Sequence, residues 1–157
     1  DRRVRQALGM LWDFEWSNRQ MMRNLYIRQQ SFFSNTPLAA TQLPDADELK
    51  LLAPLRGQVP DEVFTTVFTA PVTDASGIVR SQQLQALKLL GQAGWTPQGD
   101  HLVNAQGVPL AFTFLNGQAG LERLLLPWKR NLAQSGITLN TRNVDAAQYV
   151  NRQMARD

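Results

Sequence analysis

Two apolar runs with strand periodicity flank one apolar stripe with helix periodicity, and this order restricts the topology more than any other feature of the chain. Leu110, Phe112 and Phe114 alternate with Ala111 and Thr113, the period-two pattern of a strand. Leu121, Leu124, Leu125, Trp128 and Leu132 then recur at helical spacing and close near Gly136. Ile137, Leu139 and Thr141 alternate with Thr138, Asn140 and Arg142. A strand, a helix and a strand in succession require a crossover, which is right-handed and returns the second strand parallel to the first. The spacing therefore predicts an α/β domain with a small mixed sheet flanked by helices. Both faces of the run over 108–115 are apolar, which predicts a central strand covered on both sides. Pro127 lacks a backbone N–H and crowds the preceding turn, so it is expected to kink its helix or to mark the helix start.

The remaining elements follow from the same patterns. Val4, Ala7, Leu8, Leu11 and Trp12 form one apolar stripe, and with Asp1 as N-cap they predict a single helix running to about Asn24. From Tyr26 to about Gly57 the chain is punctuated by Ser31, Ser34, Asn35, Pro37, Pro44, Asp45, Pro54 and Gly57, with a short helix expected over 47–53. Pro60-Asp61-Glu62 reads as one further turn with Pro at its first helical position. Residues 64–77 read as extended or irregular. A loop-rich stretch of this length is usually functional or wrapped on another part of the protein. Residues 79–93 read as a helix carrying Leu84, Leu87 and Leu90 on one side and ending before Gly94. Residues 101–103, the turn 104–107 and residues 108–115 read as a β-hairpin. Asp145 to Gln148 is a capping-box pattern, and Ala146, Tyr149, Val150 and Met154 make a last helical stripe.

At 157 residues the chain suits one domain with a proper core. No run approaches the ~20 apolar residues of a membrane span. The chain opens without an initiator Met or an apolar leader, and no C-cap is evident at Asp157, so it reads as a piece of a longer protein or as a mature segment. The absence of cysteine rules out disulfides, thiolate metal sites and a cysteine nucleophile. A formal charge of +3, spread along the chain with no basic stretch interleaved with aromatics, implies no nucleic-acid partner.

Little of the residue inventory points to catalysis. His101 is the lone histidine, reads as a surface imidazole, and leaves a metal site or a His-based triad without further members. No phosphate-binding glycine loop is present, and no cofactor is expected. Asp13 and Glu15 are the nearest pair of carboxylates, but two residues apart on one helix they would face different ways. Two features suggest binding instead. Trp12 reads as core, whereas Tyr26, Phe32 and Phe33 stand in a polar loop, where they either line a cleft or staple the loop to the sheet. Leu115-Asn116-Gly117-Gln118 follows a strand and precedes a helix, the position at which open α/β sheets bind ligands; a plain strand-to-helix turn would read the same way.

The order of segments resembles a known family. Asp1-Arg2-Arg3-Val4-Arg5-Gln6-Ala7-Leu8 followed by Asp13-Phe14-Glu15-Trp16 is similar to the helix opening the second lobe of the family 5 extracellular solute-binding proteins, the dipeptide and oligopeptide receptors of ABC importers. Ser31-Phe32-Phe33-Ser34-Asn35, the run from Leu52 to Pro60, and Leu90-Gly91-Gln92-Ala93-Gly94-Trp95 resemble its YejA-like branch, associated with oligopeptide and microcin C uptake. So do Leu102 to Gly107 and Val144 to Tyr149. The resemblance spans essentially the whole chain. It implies one lobe of a periplasmic-binding-protein type II fold, 1–157 forming a single domain, in a receptor that closes on its ligand by a hinge motion. It implies peptide capture without chemistry, a bacterial periplasmic location, and ABC permease subunits as partners. Some relatives place an acid after the strand matching 110–115 to pair with the peptide amine; here the loop carries none, which leaves backbone and amide contacts. The implied ligand contacts are Tyr26, Ser31, Phe32, Phe33 and Asn35, together with Leu115, Asn116, Gly117 and Gln118. Two other readings stay open: the sensing lobe of a transcriptional regulator, and a protein-interaction domain.

Overall fold

The computed structural model describes residues 1–118 and 120–155. The chain divides into two compact units, Asp1–Leu25 with Val72–Asp157, and Tyr26–Pro71.

The larger unit begins with α1 (Arg2–Met10), capped by the Asp1 side chain, which accepts from the Arg3 N–H. The helix does not continue to Asn24 as the stripe predicts. It stops at Leu11, and α2 (Phe14–Met21) starts afresh with Asp13 as its N-cap. Asp13 accepts the Trp16 N–H at 2.9 Å, so an acid read as one more helical residue is the break between two helices.

After the Tyr26–Pro71 unit, α5 (Arg80–Gln92) ends in the Gly94 turn, where φ is +90° and glycine is free of the Cβ penalty. Two pairs of strands follow. β1 (Thr96–Gln98) and β2 (His101–Val103) are antiparallel; β3 (Ala111–Asn116) and β4 (Thr138–Asn143) are parallel, with Ala111 opposite Thr138 and Asn116 opposite Asn143. Leu110 joins the pairs through its backbone: its N–H donates to the Leu102 carbonyl at 2.7 Å, and its carbonyl accepts from the Thr138 N–H at 3.0 Å. Gly136 passes so close to β2 that a Cβ there would lie 2.9 Å from the Leu102 nitrogen.

The crossover from β3 to β4 is α6 (Leu121–Ala133), which runs through Pro127; Pro127 does not mark its start. α7 (Ala146–Ala155) follows β4, and Asp145 accepts the Gln148 N–H at 2.8 Å. The α/β class and the parallel β3–β4 pair thus match the reading of the strand–helix–strand pattern, while the four strands form two two-stranded sheets, one antiparallel and one parallel, in place of one mixed sheet. Three further details differ. β3 starts at Ala111, because Val108 to Leu110 make only the Val103–Pro109 bridge of the expected hairpin. Among the described residues β3 pairs only with β4, with Ala111 and Thr113 exposed, so it is not the central, doubly covered strand that its composition suggests. Leu84 is exposed, and α5 turns the expected Leu90 inward together with Ala86.

The core gathers Ala7 and Leu11 of the first helical segment, Ala86 and Leu90 of α5, Leu102, Leu110, Leu132, Ile137 and Leu139. Trp128 rests on Phe112 and on the half-buried Trp12, and its indole N–H donates to the Leu8 carbonyl at 3.0 Å. The Asn131 amide donates to the Leu11 carbonyl at 3.0 Å. These two bonds satisfy carbonyls at the end of α1 that the helix itself leaves without partners.

The Tyr26–Pro71 unit contains α3 (Ala46–Leu52), which runs on into a 3₁₀ turn at Ala53–Leu55, and α4 (Glu62–Thr65). Asp45 and Glu48 form a capping box at the start of α3. The turn expected at Pro60 begins two residues later, at Glu62, with Asp61 as its N-cap position.

Candidate functional site

The sequence-predicted contact residues fall in both units. In the Tyr26–Pro71 unit, hydroxyl groups lace residues 31–40 into a fixed loop. Ser34 donates to the Ser31 carbonyl at 2.7 Å and accepts the Ser31 N–H at 3.0 Å. Ser31 Oγ accepts the N–H groups of Phe33 at 3.3 Å and Ala40 at 3.0 Å, which pins the loop across nine residues. Thr36 adds a bond to the Phe33 carbonyl at 2.8 Å. Asn35 holds a left-handed φ of +66°, a conformation in which Asn is among the better-tolerated residues. On this scaffold Phe32 and Phe33 pack edge to face, ring centroids 5.0 Å apart. Phe32 is 92% exposed and Tyr26 is exposed beside the loop in sequence. At that exposure Phe32 does not staple the loop down.

In the larger unit, the end of β3 forms the second group. Asn116 is buried, and both polar atoms of its side chain are bonded: the amide donates to Asn143 Oδ1 at 2.9 Å, and its oxygen accepts the Gln118 N–H at 3.0 Å. Its backbone carbonyl accepts the Val144 N–H at 2.9 Å. Asn116 therefore shapes the loop, and Gln118 carries the exposed amide. Gly117 lies under Tyr149 of α7, where a Cβ would come within 2.6 Å of the ring. Leu115 is half-buried.

Sequence reasoning missed a third cluster. Asp13 and Glu15 do not diverge: because Asp13 precedes α2 as its cap, both carboxylates converge on Thr73. Thr73 Oγ1 lies 2.5 Å from Asp13 Oδ1 and 2.9 Å from Glu15 Oε2, and the Thr73 N–H donates to Glu15 at 3.1 Å. The hydroxyl has one proton and serves one carboxylate at a time; the N–H holds Glu15 throughout. Gly77 N–H donates to Asp13 Oδ2 at 3.0 Å. Arg19 donates to the Ala75 carbonyl and Arg130 to that of Gly77. Ser76, through its hydroxyl and its N–H, holds the exposed Asp74 carboxyl below its ordinary value of 3.8. The signal for this cluster was the acid interrupting an apolar stripe. Beside it, Trp16, Ile78, Arg80, Leu84, Leu87 and Arg130 are among the residues lining an open cavity of about 650 Å³.

His101 is exposed on β2. Among the described residues no group of three His, Cys, Asp or Glu side chains is placed to hold a metal, and no helix is long and apolar enough to cross a membrane.

Comparison with known proteins gives these groups a context. The uncharacterized protein YejA of Escherichia coli K12 is 42% identical over 158 aligned residues, which span 100% of this chain and 26% of that protein. The probable peptide-binding protein YejA of Agrobacterium fabrum is 40% identical over 99% of this chain and 25% of its own length. The peptidoglycan-binding protein YepA of the same organism is 32% identical over 100% of this chain and 26% of its own length. Among solved structures, the fold is shared with the Thermus thermophilus oligopeptide-binding protein complexed with a pentapeptide (TM-score 0.67, 15% identity, 99% of this chain and 22% of that one). It is shared as well with Bacillus subtilis AppA in complex with a nonapeptide (TM-score 0.60, 20% identity, 97% and 25%). The chain thus spans about a quarter of the length of the curated relatives it matches. The profile of bacterial extracellular solute-binding proteins, family 5 Middle, matches residues 1–157, and the chain belongs to that family.

Proposed function

We propose that this chain is part of the substrate-binding component of an ABC importer, capturing peptides in the periplasm for delivery to the membrane permease. The observation that carries this reading is the match of the whole chain to a solute-binding family, with a 40% identical relative named as a probable peptide-binding protein. The geometry supports capture without covalent chemistry. The Phe32–Phe33 pair offers apolar contact from a backbone already fixed by Ser31 and Ser34, so less ordering entropy is lost on binding. Tyr26 and Asn35 flank that contact in sequence. Leu115, Gly117 and Gln118 supply backbone groups and one amide at the strand end, held in place by Asn116.

The test is native mass spectrometry of the polypeptide of the relatives' length that carries this chain, purified from cells, with ligands released under denaturing conditions. Co-purifying peptides are the expected result and give their length directly. A protein that emerges empty and gives no calorimetric signal with a peptide library overturns the proposal. A peptidoglycan fragment is the second reading, carried by the 32% identity to a peptidoglycan-binding relative across the whole chain; muropeptides in the same calorimetry separate the two.

A further inference from the structure

The open cavity beside Trp16 belongs to neither group of peptide contacts. The loop Leu115–Gln118 precedes α6, whereas Arg130 and Asn131 near the end of that helix, and Gln134 just past it, line the cavity. α6 has 13 residues and at about 1.5 Å per residue sets the loop and the cavity roughly 20 Å apart. The cavity is built before anything enters it. Gly77, at a φ of +80°, lies so close to Trp16 that a Cβ there would come within 3.0 Å of the indole nitrogen. The Gly77 N–H donates to Asp13, and its carbonyl accepts from Arg130 at 3.2 Å. Gln83 Nε2 donates to the Gln134 carbonyl at 2.9 Å and to Ser135 Oγ at 3.2 Å, which ties the start of α5 to the end of α6.

The charge of the lining is one-sided. It includes the guanidinium groups of Arg80 and Arg130 and no Asp, Glu or Lys among the described residues. Neither arginine forms an ion pair with a described residue. The acids close by are engaged elsewhere: Asp13 is buried and bonded to Gly77, Trp16 and Thr73, and Asp74 is held by Ser76. Ile78 and Leu84, 71% and 64% exposed, join the half-buried Trp16 as apolar surface in the same cavity. Its volume of about 650 Å³ falls within the roughly 300–1,000 Å³ of small-molecule sites. We propose that this cavity binds a small amphipathic organic anion, a carboxylate or phosphate ester on an apolar chain. Arg80 and Arg130 take the anionic head, since a guanidinium fork bonds such oxygens through paired N–H groups. Trp16, Ile78 and Leu84 receive the apolar chain. The peptide reading rests on other residues, and this site does not depend on it.

Calorimetry on the polypeptide of the relatives' length tests the proposal, with octanoate and octyl phosphate as probes and acetate and octylamine as controls. Saturable binding of at least one of the two probes is expected, with both controls at least about tenfold weaker. Arg80→Gln and Arg130→Gln each weaken the probe by about tenfold or more, and Leu84→Ser by roughly threefold to tenfold. Peptide binding by these variants is unchanged. Arg130 also holds Gly77, so if its variant loses Tm, the exposed Arg80 carries the test alone. Absence of saturable heat from both probes overturns the proposal. So does octylamine binding as tightly as octanoate, or an affinity untouched by Arg80→Gln. A peptide library that displaces the probe also overturns it, because the cavity would then be part of the peptide site.

Discussion

In the larger unit, Leu11, Leu90 and Leu132 are completely buried, and even the polar Asp13, Ser17 and Asn131 are enclosed and bonded. In Tyr26–Pro71 the residues of the same chemical kind, Ile27, Leu51 and Phe32, stand in solvent. Both units follow the local rules of capping and turn formation, since Asp1 and Asp13 cap helices in one and Asp45 in the other. The difference is that only the larger unit converts local order into burial. Hydrogen bonds define a conformation at a net gain of about 1 kcal/mol each, while burial of a Leu or Phe side chain contributes roughly 1.5–3 kcal/mol. A segment with the first and little of the second is well shaped but weakly held.

Paired substitutions strain this contrast most. Leu90→Ala removes a completely buried side chain and is expected to cost about 2–5 kcal/mol. Phe32→Ala, at a 92% exposed position, is expected to stay within about 0.5 kcal/mol. Urea denaturation of both variants measures the gap, and comparable losses would abolish the distinction. Gly117→Ala comes next. Its Cβ would sit 2.6 Å from the Tyr149 ring, an overpacking worth about 1–3 kcal/mol. Tyr149→Ala in the same chain should recover much of it, so the double mutant is strongly non-additive.

A smaller effect sharpens the comparison from the other side. Asp45→Ala removes the capping box of α3, at about 1 kcal/mol. If Tyr26–Pro71 opens as its own cooperative unit, that loss appears in the exchange of α3 amides and leaves the denaturation midpoint of the larger unit unmoved. The smallest effect concerns pH. The Asp74 carboxyl is held below its ordinary 3.8 by Ser76, so its contribution is complete above the unfolded value and is lost as pH falls through the folded one. Asp74→Asn should remove that part of the acid dependence of stability, and an unchanged acid profile would show that the bond matters only locally.

How much of this was legible varied with the kind of interaction. The parallel β3–β4 pair followed from Phe112, Phe114, Ile137 and Leu139, because burial imposes a period on sequence. β1 did not, since Thr96, Pro97 and Gln98 are exposed and bury nothing to leave a trace. The break before α2 was hidden because Leu11 and Trp12 extend the stripe to the very residue that ends it, and an acid as cap reads the same as an acid on a helix surface. The aromatics of the candidate site stood out as apolar residues in a polar loop. The role of Ser31 in fixing them did not, because hydroxyl-to-backbone bonds depend on loop geometry that no spacing encodes.

The Asp13, Glu15 and Thr73 cluster has a consequence for how such a chain tolerates change. It fastens residue 73 to residues 13 and 15 by bonds that lie within the larger unit. The chain leaving at Leu25 and returning at Val72 is therefore a loop whose closure is secured by these bonds in the larger unit as well as by its own Ala70 N–H to Gln30 bond. Doubling the length of a flexible loop adds only about 0.6 kcal/mol of closure cost. The larger unit is thereby insulated from insertions, deletions and sequence drift between Leu25 and Val72, leaving that stretch free to be rewritten by whatever it must fit.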